Sequence, residues 1–389
     1  MTRETADIVI LGAGVMGTSI AYHLAQRRAG RIVLIERDVV ASGASGASSA
    51  LVRMHYSFPP EVRLAVKSLE YFTHWTDWLG RPSSFRQTGF FRIVPESEEP
   101  LLRANVAMQR ECGADTRIVR REEIQEIEPH WNVDDVGLAA YEPGSGYCAA
   151  ATVASDFLER ARELGVRYVH AQPVHEIQTR RGRVTEVVTK DGSFETRIVV
   201  VAAGVWSYEL LRGVGVELPL ETELHDVVIL DRPPGIAPSH AAGADSILRI
   251  YFRSDGQRET LVGDFYGTRG GDPDEPLRTR GLEELAGKVE LLSRRIPAMA
   301  NAGIVRCVSG LHTMTPDTRG LMGPLAAVDG LYCCTGFSEM GFKIAPAVGL
   351  VMSEMILDGK SHTVDVRDFY PDRFVDEKPI RARYEYGDD

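Results

Sequence analysis

The sequence predicts an α/β fold joined to an α+β part, and three observations carry that prediction. Residues 7–36 read as a strand, a glycine turn, a helix and a second strand. Residues 197–204 form a continuous apolar run ending in small residues, as strands in the middle of a parallel sheet do. Residues 218–267 instead carry several short strands. We therefore expect one part built on a parallel sheet and a second part built on a mainly antiparallel sheet.

The first element contains a G-x-G-x-x-G motif at residues 12–17, placed after a strand and opening a helix. Gly12 permits the tight turn, Gly14 lets the backbone approach a pyrophosphate, and Gly17 lets the helix pack on the strand. Glu36 ends the second strand, where a carboxylate can accept hydrogen bonds from ribose hydroxyls. The motif predicts a Rossmann-like dinucleotide site; the alternative is a glycine turn that binds nothing.

Later elements follow from apolar periodicity and turn residues. Helices are predicted at residues 60–79, 99–112, 122–127, 151–164, 282–295 and 344–357. Strands are predicted at residues 89–94, 166–169, 174–178, 184–189, 194–201, 227–230, 247–252, 260–265, 305–313 and 330–336. The small-residue run at 41–49 is either a linker or, following a dinucleotide-binding unit, a loop over the ligand.

The buried strand near residue 200 returns the chain to the nucleotide part, so we expect that domain to be discontinuous. It would comprise residues 1–84, 142–217 and 310–370, with a substrate domain at 85–141 and 218–309. Residues 371–389 form a C-terminal tail that we expect to drape over the surface, because the chain after Tyr370 is polar.

Composition is that of an ordinary globular enzyme: 389 residues, 44% hydrophobic and 25% charged, with a net charge of −11. This acidity argues against nucleic acid as a partner. The 5 cysteines show no metal spacing, and no apolar run is long enough to span a membrane. We therefore expect a cytoplasmic protein without a metal site.

Four stretches together resemble the D-amino-acid oxidase (DAO) superfamily of flavoproteins, within it the sarcosine oxidase and dimethylglycine dehydrogenase branch. They are the glycine motif with Glu36, the loop at 42–56, the strand at 199–204, and Thr315-Pro-Asp317 followed by Gly336-Phe-Ser-Glu-Met-Gly-Phe-Lys343. The last stretch is the most specific, because the glycine motif is shared with many NAD enzymes. The resemblance covers the chain to about residue 359.

The resemblance implies FAD, with Glu36 on the adenosine ribose, the glycine turn on the pyrophosphate and the serine-rich loop near the flavin ring. The implied cofactor-binding residues are Gly12, Gly14, Val15, Met16, Gly17, Glu36, Arg37, Ser42, Ser45, Ser48, Ser49, Ala203, Gly204, Gly336, Phe337, Gly341, Phe342 and Lys343.

Arg53 and Lys343 match the positions that hold the substrate carboxylate in sarcosine oxidase-like enzymes. Arg offers a planar fork and Lys a point charge. A surface salt bridge is the alternative for each, although a lysine between glycines and an apolar helix is poorly placed for that. His312 matches a substrate-lining position and is the third catalytic candidate, against the alternative of a structural histidine. Weaker candidates are His55, Tyr56 and His225.

The chain departs from the resemblance at three places. Gly310 stands where monomeric sarcosine oxidases carry a flavin-linking cysteine, so FAD is expected to bind noncovalently. The segment 260–263 lacks the lysine that activates oxygen, which favours a dehydrogenase over an oxidase. Glu339 and Met340 replace the usual pair in the last turn, so substrate identity does not transfer; Glu339 either pairs with a cationic substrate group or neutralises Lys343.

The expected activity is oxidation of the C–N bond of a secondary or tertiary amino acid, N-methyl or cyclic, by hydride transfer to flavin N5 and hydrolysis of the imine. The expected electron acceptor is oxygen or an electron carrier. Alternatives are oxidation of primary or D-amino acids or of 2-hydroxy acids, and a flavin subunit of a heteromeric dehydrogenase. An NAD-only reductase and a flavin-binding regulator without turnover explain the motifs less well.

Overall fold

The computed structural model describes residues 2–236, 239–275, 277 and 281–386. Within these ranges the chain forms ten α-helices and 22 strands, numbered here in chain order. The helices are α1 (Val15–Gln26), α2 (Pro59–Thr73), α3 (Trp75–Leu79), α4 (Glu99–Glu111), α5 (Arg121–Ile127), α6 (Ala150–Glu163), α7 (Ser207–Arg212), α8 (Leu282–Arg295), α9 (Gly341–Asp358) and α10 (Asp372–Val375).

The strands are β1 (Thr2–Thr5), β2 (Ile8–Leu11), β3 (Ile32–Ile35), β4 (Leu51–Val52), β5 (Arg86–Gln87), β6 (Phe90–Ile93), β7 (Arg117–Arg120), β8 (Leu138–Glu142), β9 (Gly146–Tyr147), β10 (Arg167–Val169), β11 (Val174–Arg180), β12 (Arg183–Thr189), β13 (Gly192–Glu195), β14 (Val199–Val201), β15 (Glu221–Asp231), β16 (Ala242–Asp245), β17 (Ile250–Asp255), β18 (Glu259–Asp264), β19 (Thr268–Arg269), β20 (Gly303–Met314), β21 (Leu321–Pro324) and β22 (Leu331–Thr335).

The nucleotide-type sheet has the strand order β10-β3-β2-β14-β22-β21 and is parallel except for β21. Its central strands are apolar throughout, because both faces are covered: α1, α6 and α9 pack on one face, and the strands β11, β12 and β13 pack on the other. Helix α1 lies against α9 at a close crossing, where any side chain at Gly349 would overlap Ser19. The predicted α/β class with a parallel sheet is confirmed.

A larger sheet has the order β19-β15-β18-β17-β16-β6-β8-β7, with β20 paired to the other edge of β15. Its pairings are antiparallel apart from β16 with β6. Two smaller sheets have the orders β1-β13-β12-β11 and β4-β9-β5. The predicted mainly antiparallel second sheet is therefore present.

Three predicted elements differ in the structure: two are divided, and one begins later than expected. The single strand expected at 194–201 is β13 and β14 in different sheets, because the Thr196 hydroxyl bonds the Ile198 backbone between them. The strand expected at 247–252 begins only at Ile250, as β17, because Asp245 accepts the backbone N–H groups of Ile247 and Leu248 and the chain turns there. The helix expected at 60–79 breaks at His74, which leaves the helical region with φ −112° and ψ 30°.

The C-terminal segment, described here for residues 371–386, exposes residues 375–379 as expected of a surface tail, but it is also anchored in the protein interior. Arg373, Ile380 and Tyr386 are all buried. The anchor is Asp317, whose carboxylate accepts two hydrogen bonds from Arg373 at 2.9 Å and one from the Ile380 N–H at 2.8 Å. No helix within the described ranges is long and apolar enough to cross a bilayer.

Candidate functional site

A cavity of about 1180 Å³ lies where the parallel strands end and the larger sheet begins. Every predicted cofactor residue lines it except Gly17. The candidates Arg53, Lys343 and His312 line it too, as do the weaker candidates, which are His55, Tyr56 and His225. The structure thus gathers residues far apart in the sequence into one site.

The glycine turn forms one end of this cavity and leaves no room for side chains. Gly12 has φ +103°, and a Cβ there would lie 2.5 Å from the Ala202 carbonyl oxygen. Gly17 faces the protein interior, where a Cβ would overlap the Gly12 carbonyl. Gly17 therefore permits close packing of α1 on the turn, while Gly12 and Gly14 border the cavity.

Glu36 follows β3 and is held at this end of the cavity by two backbone groups. Its carboxylate accepts hydrogen bonds from the Ala13 N–H at 2.7 Å and the Asp38 N–H at 2.9 Å. Nearby, Arg37 stacks 4.6 Å from the Trp206 ring centre, and both residues bind Asp274. The Glu36 carboxylate is fixed at the end of the cavity predicted to hold a ribose.

The small-residue run at 41–49 folds over the cavity and is not a free linker. The Ser45 hydroxyl accepts the Val15 N–H at 2.9 Å, and the Ala41 N–H donates to the Ala13 carbonyl at 3.0 Å. Gly310 faces this loop, where a Cβ would lie only 2.6 Å from the Ala47 Cβ. A cysteine at position 310 would therefore collide with Ala47 unless the loop were displaced.

The opposite wall begins at Gly336, which has φ +68° and whose added Cβ would lie 2.7 Å from the Thr315 methyl. Helix α9 starts at Gly341 without a side-chain cap, and its first three residues line the cavity. Uncapped amides at a helix start favour negative charge nearby. The backbone-lined turns at both ends fit the flavin dinucleotide implied by the sequence.

Arg53 and Lys343 are brought together in the middle of the cavity wall. Arg53 donates to the His55 carbonyl and lies 4.6 Å from the Tyr56 ring centre. Lys343 is 7% exposed and donates to the Glu339 backbone carbonyl at 3.0 Å. Burial, with the Arg53 charge beside it, lowers the pKa of Lys343 to about 7 despite the opposing effect of Glu339.

The side chain of Glu339 is solvent-accessible, but its accessible surface lies in the cavity. Burial away from bulk water raises the pKa of Glu339, while the charges of His225, Lys343 and Arg53 act in the opposite direction. Lys343 contacts the backbone of Glu339 rather than its carboxylate. The carboxylate is thus aimed at the cavity interior.

Two histidines stack within the cavity wall: His312 lies 4.2 Å from His225, with ring planes 16° apart. Nε2 of His225 lies 2.9 Å from the Glu223 carboxylate. Burial, then the charges of His225 and Lys343, lowers the pKa of His312 to about 3. His312 is therefore neutral at physiological pH and can form hydrogen bonds without adding charge.

The sequence did not point to two further residues of the cavity wall, Arg92 and Tyr386. Arg92 lies 4.6 Å from the Tyr386 ring centre and 5.4 Å from that of Phe265. An arginine inside the apolar run of β6 is a signal that could have revealed the first. Tyr386 carries no such signal, because it lies in a polar stretch.

Comparisons with known proteins agree with this geometry. The family model described as "FAD dependent oxidoreductase" (DAO) matches residues 7–355. The chain is 28% identical to "FAD-dependent oxidoreductase domain-containing protein 1" of Xenopus laevis, over 98% of this chain and 85% of that protein. It is 26% identical to 4-methylaminobutanoate oxidase (formaldehyde-forming) of Paenarthrobacter nicotinovorans, over 93% of this chain and 45% of that protein.

Among solved structures, L-proline dehydrogenase from P. horikoshii is similar with a TM-score of 0.90 and 25% identity. The match covers 97% of this chain and 100% of that one.

Proposed function

The chain belongs to the DAO family of FAD-dependent oxidoreductases, and from that membership we propose that it oxidises the C–N bond of a secondary or tertiary amino acid. The observation that carries the proposal is the pair Arg53 and Lys343 in a cavity that also contains the glycine turn. FAD, when bound, supplies the hydride acceptor. The chain's own residues then have to bind the substrate, orient its C–H bond and exclude water.

The proposed carboxylate site consists of Arg53 and Lys343. The guanidinium offers two parallel N–H groups and the ammonium adds a compact charge. On the amine side, the neutral ring of His312 can hydrogen-bond a deprotonated amine, and the Glu339 carboxylate can hold the ammonium form on arrival. A zwitterionic amino acid would thus find its two charges matched.

The names of the similar proteins support a substituted amine. Proline and 4-methylaminobutanoate each carry a carboxylate and a secondary amine. The alternatives that remain are a primary or D-amino acid, a 2-hydroxy acid, and a flavin subunit that transfers electrons within a heteromeric complex.

We also propose that seventeen of the cofactor residues named from the sequence hold FAD from the cavity lining, without a covalent bond at Gly310. The eighteenth, Gly17, contributes by letting α1 pack closely on the glycine turn. The domain boundaries predicted from the sequence stay a proposal. They are supported by the six-stranded sheet β10-β3-β2-β14-β22-β21, whose strands all lie outside 85–141 and 218–309. A cytoplasmic location is supported by five free cysteines, three of them buried. The absence of a lysine from β18 supports an acceptor other than oxygen.

The test is the visible spectrum of the purified protein during anaerobic addition of sarcosine, dimethylglycine, proline, D-alanine or a 2-hydroxy acid. Bleaching of the flavin bands by an N-methyl or cyclic amino acid is the expected result. Bleaching only by D-alanine or the hydroxy acid would transfer the proposal to that substrate class. Recovery of colour in air would identify an oxidase, and its absence a dehydrogenase.

A flavin that none of these compounds bleaches would contradict the proposal. In that case size-exclusion chromatography and identification of co-purifying chains would test the heteromeric alternative.

A further inference from the structure

Residues 380–386 run from Asp317 past α4 and reach the wall of the cavity at Tyr386. Three contacts hold this segment in place. The Ile380 N–H donates to Asp317 at 2.8 Å, Asn105 of α4 donates to the Tyr384 carbonyl at 2.8 Å, and Glu385 lies 3.6 Å from Arg319. Its path is therefore set by hydrogen bonds and charge rather than by surface contact alone.

Tyr386 is the residue that this path delivers to the cavity, and it is only 5% exposed. One face of its surroundings is apolar, since it packs in a cluster with Val94, Leu102, Val106, Leu138 and Ala140. The other is polar: its hydroxyl lies 2.9 Å from Nε2 of His55, and Arg92 sits 4.6 Å from its ring centre.

The contact with His55 connects Tyr386 to the proposed carboxylate site. Burial, with Arg92 and Arg53 nearby, lowers the pKa of His55 well below its usual value, so the ring is neutral. The backbone carbonyl of the same residue accepts a hydrogen bond from Arg53. Tyr386 thus contacts the residue that positions Arg53.

We propose that Tyr386 is a specificity-determining residue, whose ring closes the cavity beside Arg92 and His55 and limits the size of the substrate. This rests on the proposed amino acid oxidation for its substrate panel, but closure of the cavity can be measured without any substrate. An added methylene in an apolar pocket changes kcat/KM by roughly 10- to 200-fold. Removing the ring should therefore relax discrimination against bulky amino acids.

The experiment measures the ratio of kcat/KM for N-methylleucine to that for sarcosine, using FAD-loaded enzyme. Tyr386→Ala should raise this ratio at least tenfold. Tyr386→Leu, which keeps contact with the apolar cluster, should raise it less and guards against a folding defect. Tyr386→Phe keeps the ring and should stay within about threefold of the parent protein.

Tyr384→Ala is the matched control. Tyr384 lies in the same segment but does not line the cavity, and its contribution to anchoring is a backbone carbonyl that alanine retains. Its ratio should be unchanged. FAD content and Tm are measured for each variant, because a merely structural role would change these and leave the ratio constant.

The second readout is iodide quenching of flavin fluorescence, with chloride at equal ionic strength as reference. Opening the wall should raise the quenching constant severalfold in Tyr386→Ala and not in Tyr384→Ala. An unchanged substrate ratio in an active, FAD-loaded Tyr386→Ala enzyme would overturn the proposal. If no amino acid reduces even the parent flavin, the proposed function fails separately, and quenching alone then decides whether Tyr386 closes the cavity.

Discussion

At Lys343, position in the sequence was already informative. A lysine between glycines and an apolar helix has no reason to be there for solubility, and the structure buries it at 7% exposure beside Arg53. Tyr386 was missed for the opposite reason, because only the fold brings it beside Arg92 and His55. Arg92 was missed although an arginine inside an apolar strand is a signal. Residue type was thus enough to predict the charged centre of the site, whereas the part of the wall that contains Tyr386 could be located only from the fold.

Replacing Lys343 by Met should raise KM for an amino acid substrate about ten- to a hundredfold with little change in kcat, since a hydrogen bond to a charged group contributes roughly 1.5–3 kcal/mol. Steady-state kinetics measure this. Lys360→Met, at an exposed lysine, is the control and should behave as the parent protein. An unchanged KM in the Lys343 variant would remove this residue from the carboxylate site.

The same lysine predicts a pH dependence of anion binding. Its lowered pKa of about 7 means that the ammonium loses its proton as pH rises through that value, and only the charged form attracts a carboxylate. The Kd for acetate, which has no amine to titrate, should rise towards tenfold per pH unit above about 7. Perturbation of the flavin spectrum by acetate reports the Kd.

In Lys343→Met this slope should disappear. Glu339→Gln removes the neighbouring titratable carboxylate. The Kd of this variant for acetate should still rise with pH as in the parent protein. The same slope in both parent and Lys343→Met would show that another group is responsible.

Among the elements, those with strong periodicity were predicted closely: the helix expected at 282–295 is α8. Errors arose where a single side chain redirects the backbone, as Asp245 and Thr196 do. Apolar patterning cannot reveal such local hydrogen bonds, because it reports which residues are buried and not where the chain leaves one sheet for another. The path of residues 380–386, which buries Ile380 and Tyr386, depends likewise on Asp317, whose partners are distant in sequence.

Strand β20 and the loop at 41–49 are fitted to each other at Gly310. Gly310→Ala should weaken FAD binding about tenfold, because its Cβ would lie 2.6 Å from Ala47 and overpacking costs about 1–3 kcal/mol. Titration of apoprotein with FAD measures this. Ala47→Gly should restore affinity in the double variant.

Gly303→Ala lies on the same strand with nothing within 4 Å and should leave FAD affinity unchanged. A double variant as weak as Gly310→Ala alone would contradict the steric explanation.

Asp317 anchors the segment that carries Tyr386. Burial raises the pKa of Asp317. Hydrogen bonds from Arg373 and from two backbone N–H groups, together with the charge of Arg373, nevertheless hold this pKa below its usual value. Asp317→Asn should lower stability by about 3 kcal/mol or more, since it leaves Arg373 buried without its counter-charge.

Hydrogen exchange should then accelerate in residues 380–386. Asp376→Asn, at an exposed carboxylate paired with Lys378, is the control for both exchange and Tm. Unchanged protection of the Ile380 amide in Asp317→Asn would mean that other contacts hold the segment.

At the scale of the whole molecule, the cavity connects the parallel sheet to the larger sheet, so a bound cofactor contacts both. Saturating FAD should therefore raise Tm. At a thousandfold excess over Kd, the free energy of unfolding should increase by about 4 kcal/mol. Thermal unfolding at several FAD concentrations measures this, with riboflavin as the control ligand lacking the adenosine that Glu36 is predicted to bind.

Acid precipitation should release the flavin from the chain. Cys334 borders the cavity, and burial raises the pKa of its thiol well above the usual value, so the thiolate needed for a thioether is disfavoured. Flavin retained by the precipitated chain would contradict noncovalent binding.

The discontinuous order of the parallel sheet has a consequence for biosynthesis. Strand β14 pairs with β2 on one side and with β22 on the other, and β22 lies some way further along the chain. At ribosomal rates of about 5–20 residues per second, Val199–Val201 waits on the order of ten seconds for that partner. During this interval a wholly apolar edge lacks its neighbour, which favours a holding chaperone on the nascent chain. Cofactor loading is consequently a late event, since Gly336 and α9 must leave the ribosome before the flavin has a second wall to bind.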